Sequence, residues 1–314
     1  MTSFDAARPQ KPVGSPAQER GRITSYADTF ALDLHKALLE QLPQALDSLA
    51  PVPLTEENIG DLGTEHGVYQ LFHAGQPVYI GKSQKTLAAR LDSHRRRCRG
   101  RVGIDVADMS FRCLYVDKFV DATSPESVLI AQYRASGRAP WNFVEGFASN
   151  DPGRGRGSGA PGSWLIDRPV DHTVPLRISG AGAPMPVKQA LDHLKEAVPF
   201  DLFRYASNLS KDLKDKASLV DYEGREVTLE PGDVSLMSHL RQIIDRLPLG
   251  WQATVQPQGV IVYRENVDYS YAIDGWRKDE VGVIPVPRGM ALPAPRDQPR
   301  NDTPIASARR RTGR

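Results

Sequence analysis

Cysteine is nearly missing from this sequence: Cys98 and Cys113 are the two in 314 residues. Two thiols are too few for a disulfide framework or for a zinc site of the usual Cys/His spacing. There is no apolar run of about 18 residues, the length a membrane-crossing helix needs. The first residues, "MTSFDAARPQKPVGSPAQERGR", lack the apolar stretch of a secretory signal. These absences predict an unexported, cytoplasmic protein. Charge of one sign is not in excess either, with 40 Lys and Arg against 38 Asp and Glu and a formal net charge of +2. What is present is ordinary for a globular chain, 40% apolar and 25% charged residues. The length suits two modest domains, or one domain with generous tails. No internal repeat is visible.

Charge is nevertheless placed unevenly. Between Lys82 and Arg101 stand Lys82, Lys85, Arg90, Arg95, Arg96, Arg97, Arg99 and Arg101 against the single acid Asp92. Cations near the negative end of a helix explain part of this run. Its length points further, to a polyanion such as nucleic acid.

Composition divides the chain into a Pro- and Gly-rich tail over 1–24, a first domain over 25–171, a second unit over 172–284 and a Pro-rich basic tail over 285–314. Leucines at helical spacing predict a helix over 28–49, kinked or split at Pro43. Two strands, "GVYQLF" and "PVYIG", are joined by "HAG" and followed by a helix from about Lys85 to Arg97. The strand "MSFRCLYVD" precedes a helix that starts at Ser124-Pro125-Glu126, with Ser as N-cap and Pro in the first turn. The stretch "NDPGRGRGSGAPGSWLID" reads as a loop closing the first domain. Beyond it the pattern predicts helices near 187–197, 201–216 and 234–246, and strands "WQATVQP" and "GVIVYRE".

Gly81-Lys82-Ser83 has the look of a phosphate-binding loop. Five residues separate Gly75 from Gly81, however, where the loop needs four. Pro77 has no N–H to offer, and Val78, Tyr79 and Ile80 favour a strand. The stretch is better read as a hairpin. A three-residue loop, His73-Ala74-Gly75, would set Tyr69 opposite Tyr79 on one face, whereas a two-residue loop would put them on opposite faces. In the next helix Arg90 and His94 lie one turn apart on one side, anchored by Leu87 and Leu91. A cation and an imidazole pointing the same way suit a phosphate whose charge must be neutralised. Glu126 offers a carboxylate at a helix start, where its ionised form is favoured and can hold a hard divalent cation. Taken singly, each residue also has an ordinary structural reading: core aromatic, surface charge, structural histidine or helix-dipole partner.

Together, Gly67-Val68-Tyr69, Tyr79-Ile80-Gly81, the "KS…RL..H" spacing and a later helical Glu resemble the GIY-YIG nuclease superfamily. "ESVLIAQYRASGRAPWN" is similar to that superfamily's Glu-bearing helix and its Asn, here Glu126 and Asn142. His94 and "PWN…GF.SNDPGR" resemble the restriction-endonuclease branch whose members cut CCGCGG palindromes. The likeness covers about residues 28–171. It implies an α+β fold, a small nuclease domain with a short mixed or antiparallel sheet flanked by helices, and says nothing about residues 172–314. There the strands and preceding helix read as an added α/β unit over 172–284 whose role is unknown, a DNA-contacting or dimer-stabilising addition or, alternatively, a regulatory one.

By that resemblance the reaction is hydrolysis of a DNA phosphodiester with one Mg²⁺ or Mn²⁺ held mainly by Glu126. Tyr69 is the general base, helped by surrounding cations because a free phenol titrates near ~10. His94 orients or relays a proton, Tyr79 bonds the water or a scissile-phosphate oxygen, Lys82 adds positive potential and Asn142 braces the Glu126 region. Arg95, Arg96, Arg97, Arg99, Arg154 and Arg156 are candidates for DNA contact, to bases or to phosphates. Double-stranded DNA at a palindrome implies a homodimer, and a companion methyltransferase acting on the same site. The alternatives are a repair or mobile-element nuclease of the same superfamily and a catalytically silent DNA-binding protein.

Overall fold

The computed structural model describes residues 34–116, 133, 136–147, 160–207 and 213–289. The helix expected to start at Ser124, with Glu126 in it, and the arginines Arg154 and Arg156 fall outside them.

The first unit is built on a four-stranded antiparallel sheet with strand order β1-β4-β2-β3. Its strands are β1 (Val52–Pro53), β2 (Gly67–His73), β3 (Gln76–Ser83) and β4 (Met109–Tyr115). β2 is buried along six of its seven residues, because both faces of the sheet are covered. On one face Tyr69, Leu71, Tyr79 and Phe111 pack with Leu87 and Leu91 of helix α3 (Leu87–Cys98) and with Trp141, Phe147 and Trp164. On the other, Val68 and Ile80 pack with Leu46 of helix α1 (Leu34–Asp47), Tyr133 and Ala139. Pro43 lies inside α1 without splitting it. A short helix, α2 (Glu56–Gly60), is capped by the Thr55 hydroxyl and follows β1.

α3 forms because its sequence carries the usual start and stop signals. The Thr86 side chain accepts from the Ala89 N–H at the start, and Arg95, Arg96 and Arg97 occupy the last turn, where the helix end is negative. Leu87, Leu91, His94 and Cys98 make one buried stripe along it.

The C-terminal unit centres on a five-stranded sheet whose order is Val283–Pro285, Asp274–Lys278, Trp251–Gln256, Gly259–Arg264, Phe203–Tyr205. The last pair is parallel and the rest are antiparallel. Helices Val187–Ala197 and Leu236–Arg246 supply Leu191, Leu194, Leu240 and Ile243 to a core with Trp251, Ala253 and Val255. The molecule is thus α+β, antiparallel sheets with helices and an added C-terminal region, as expected.

Three sequence expectations need correcting. The helix over 201–216 is replaced by strand Phe203–Tyr205 and the short helix Leu213–Ala217. Pairing of Phe203 and Tyr205 with Val260 and Val262 outweighs local helix preference. The loop over 150–167 ends in a helical turn, Ser163–Asp167, because Trp164 and Leu165 are drawn into the core. The hairpin loop is Ala74-Gly75, two residues instead of three, with His73 paired to Gln76.

Candidate active site

The two-residue turn carries positive φ at both positions, 48° at Ala74 and 74° at Gly75. Such a turn alone would send Tyr69 and Tyr79 to opposite faces. A bulge between Leu71 and Phe72 restores the parity: beyond it Leu71 pairs with Tyr79 and Tyr69 with Gly81. The tyrosines therefore share a face as diagonal neighbours, ring centroids 6.1 Å apart, and not as the directly opposed pair expected. Gly81 is what lets them meet. A Cβ there would come within 2.5 Å of the Tyr69 hydroxyl and 2.8 Å of the Tyr79 ring.

α3 brings its two polar residues onto this pair. The Tyr69 hydroxyl lies 2.7 Å from His94 Nε2 and accepts from Arg90 Nε at 3.1 Å. His94 is stacked on Phe147, centroids 4.8 Å apart and planes 10° apart, with the Tyr79 ring at 5.3 Å. Burial, and then the charges of Arg90 and Arg97, hold the His94 pKa well below its ordinary value, so the imidazole is neutral at neutral pH. For Arg90, burial works against the charge, but Tyr69 and Tyr79 more than offset it and raise the pKa. The phenol oxygen of Tyr69 thus sits between a permanent cation and a neutral imidazole. Tyr69, Tyr79 and His94 are buried and Arg90 is only partly so, which makes Arg90 the most exposed residue of the cluster.

Asn142 stands in the 3-10 turn Pro140–Phe143. Its carboxamide accepts from Ile80 N–H at 2.8 Å and donates to Ile80 O at 2.7 Å. It thereby holds β3 beside Tyr79 as a neighbouring strand would. Lys82 pairs with Val68, so by alternation it leaves β3 on the α1 face, away from Tyr69 and Tyr79.

The arginines fare differently. Arg95 pairs with Glu56 at 2.7 Å and Asp92 at 2.9 Å, and Arg96 pairs with Asp92 at 2.8 Å. Arg97 donates to Gly146 O at 3.1 Å, which steadies the loop carrying Phe147. Arg99 is exposed. Among the described residues no group of three or more His, Cys, Asp or Glu could hold a metal ion. Glu126, the residue expected to hold a metal, lies outside those residues.

Sequence reasoning missed Phe147, which walls in His94, and Arg112, which accounts for the reverse face. Arg112 donates to Gln70 Oε1 at 3.0 Å and pairs with Asp47, which also receives Arg138 at 2.8 Å. The "GF" of residues 146–147 was visible as a motif, but nothing local tied it to His94.

No curated protein matches the chain. Residues 71–169 match the family model described as the Eco29kI GIY-YIG domain, a stretch that starts two residues after Tyr69 and takes in Tyr79, Arg90, His94, Glu126 and Asn142. Over that third of its length, the chain is similar to a GIY-YIG nuclease domain of the Eco29kI restriction-endonuclease type.

Proposed function

We propose that the protein is a type II restriction endonuclease that hydrolyses DNA phosphodiester bonds at a specific, GC-rich palindrome such as CCGCGG. The observation that carries this reading is the Tyr69 hydroxyl held between His94 Nε2 and Arg90 Nε.

The chemistry follows from that arrangement. In the tautomer with its proton on Nδ1, neutral His94 accepts a hydrogen bond from the Tyr69 hydroxyl and orients it, and the Arg90 guanidinium stabilises the phenolate formed when that proton is lost to solvent. Tyr69 is then able to take a proton from the attacking water. Arg90 and Tyr79 bind the phosphoryl oxygens as negative charge builds on them, a kind of preorganised contact whose loss costs on the order of a hundredfold in rate. The attack forms one P–O bond and breaks another, and the proton taken from water returns to the leaving oxygen. Glu126 would hold one Mg²⁺ or Mn²⁺, which supplies Lewis-acid stabilisation of the same phosphate. Asn142 keeps β3, and with it Tyr79, in place. Lys82 lies on the opposite face of the sheet and adds positive potential only at longer range. Of the arginine candidates for DNA contact, Arg95 and Arg97 are engaged within the protein, which leaves the exposed Arg96 and Arg99, with Arg154 and Arg156 outside the described residues as further candidates. A palindrome calls for two copies related by a two-fold axis, and a host needs a methyltransferase to protect the same sites.

Purified protein with Mg²⁺ is expected to cut plasmid DNA into discrete fragments whose mapped ends share one sequence. A smear, or nicking confined to lesions, sinks the restriction reading. Glu126→Ala is expected to bind the site and leave it uncut.

A further inference from the structure

Helix α3 carries Arg90 and His94, and the group that finishes its C-terminal end, Arg101, also reaches into the neighbouring unit. Arg101 turns back and donates from Nε to Arg97 O at 2.6 Å, one of the carbonyls that the last helical turn leaves unpaired. The same guanidinium donates to Arg168 O at 2.9 Å and, across the junction, to Pro257 O at 3.1 Å in the turn between the strands Trp251–Gln256 and Gly259–Arg264. It lies over the Trp164 ring, 5.2 Å from the centroid. Arg101 is 8% exposed and forms no ion pair among the described residues. A buried cation without a carboxylate is costly unless several dipoles satisfy it, and here backbone carbonyls do so from both units.

The main chain is stitched at the same place. Gly100 O accepts from Asp171 N–H at 2.9 Å, Pro169 O from Val102 N–H at 3.0 Å, and Pro257 O from Val170 N–H at 3.1 Å. Gly100, with φ +60°, runs so close to Pro199 that a Cβ would meet its carbonyl carbon at 2.9 Å. The C-terminal unit therefore grips the end of the helix whose middle carries the candidate site. Residues 172–289 hold more Asp and Glu than Lys and Arg, which does not suit a surface made for phosphate.

We infer that the C-terminal unit is a buttress for α3, and that Arg101 is the positioning residue through which it sets Arg90 and His94 against Tyr69. This rests on the nuclease reading above. Misplacement of reacting groups by about 1 Å costs on the order of a hundredfold in rate.

The test compares full-length protein with Arg101→Met and Arg101→Lys on one plasmid substrate, alongside native-state hydrogen exchange on the unaltered chain. In Arg101→Met, kcat is expected to fall about a hundredfold while KM moves less than about threefold. Arg101→Lys, which keeps a cation but fewer donors, should recover part of the rate. In the unaltered chain, the amides at the end of α3 should open together with those of the strand Trp251–Gln256. Wild-type kcat in Arg101→Met, with one cooperative unfolding transition retained, overturns the inference. So does a loss confined to KM or to site choice, which would make the unit a DNA reader. If both variants fail to fold, the exchange data decide, because independent opening of α3 and the C-terminal sheet overturns it. If the unaltered protein cuts no DNA, the nuclease reading fails, and exchange still tells whether the two units are coupled.

Discussion

Gly81 and His94 show how closely the candidate site is fitted. Gly81→Ala would push a methyl group to 2.5 Å from the Tyr69 hydroxyl and 2.8 Å from the Tyr79 ring. Cleavage is expected to fall on the order of a hundredfold, with a stability loss of about 1–3 kcal/mol, read from plasmid cutting and urea unfolding of the same sample. His94 makes a pH prediction. Its folded pKa is depressed by burial and by Arg90 and Arg97, so below its unfolded value of ~6.5 the unfolded chain binds the extra proton. Its contribution to stability is therefore present above that value and lost as pH falls. The urea midpoint should drop as pH goes from ~6.5 to ~5, and the slope should be shallower in His94→Asn. Equal slopes in the two proteins would remove His94 from the effect. The pairing of Arg90 with His94 was legible, since helical spacing alone puts residues four apart on one side. Phe147 was not, because its partner is 53 positions away and no periodicity links the two.

Elements with strong local signals were readable in the sequence. The helix Val187–Ala197 and the strands Trp251–Gln256 and Gly259–Arg264 fall where periodicity and turn residues place them. The hairpin was only half readable. Its strands followed from the pattern, but the shared face of the tyrosines was tied to a three-residue loop, and it arises instead from a shorter turn with a bulge that no local signal announces. That turn carries a residue unsuited to it. Ala74 sits at φ 48°, where glycine and asparagine are favoured. Ala74→Asn should therefore stabilise the protein by roughly 0.5–1 kcal/mol, with unchanged cleavage. A lower unfolding midpoint would show that the turn is held by other forces. Strand Phe203–Tyr205 and the strands Asp274–Lys278 and Val283–Pro285 escaped sequence reading, since each is short and defined by its partners in the sheet.

At the scale of the whole molecule, the basic run of α3 divides by use. Arg95 and Arg97 are engaged within the protein, whereas Arg99 faces outward. Arg99→Ala is expected to weaken DNA binding similarly for all sequences and to lower the salt dependence by about one ion. Arg95→Ala should instead cost up to about 1 kcal/mol of stability and leave the salt slope unchanged. A binding titration at several salt concentrations separates the two. The way the four-stranded sheet ends also bears on whether a foreign strand could pair with it. At one rim, β1 is two residues long, Pro53 has no N–H, and Asn58 covers its carbonyl at 2.8 Å. At the other, both polar groups of Ile80 are taken by Asn142. Two asparagine amides thus blunt the rims where a foreign strand would otherwise dock. Edge-to-edge pairing between copies through this sheet is thereby disfavoured, since an incoming strand would first have to displace one of these amides.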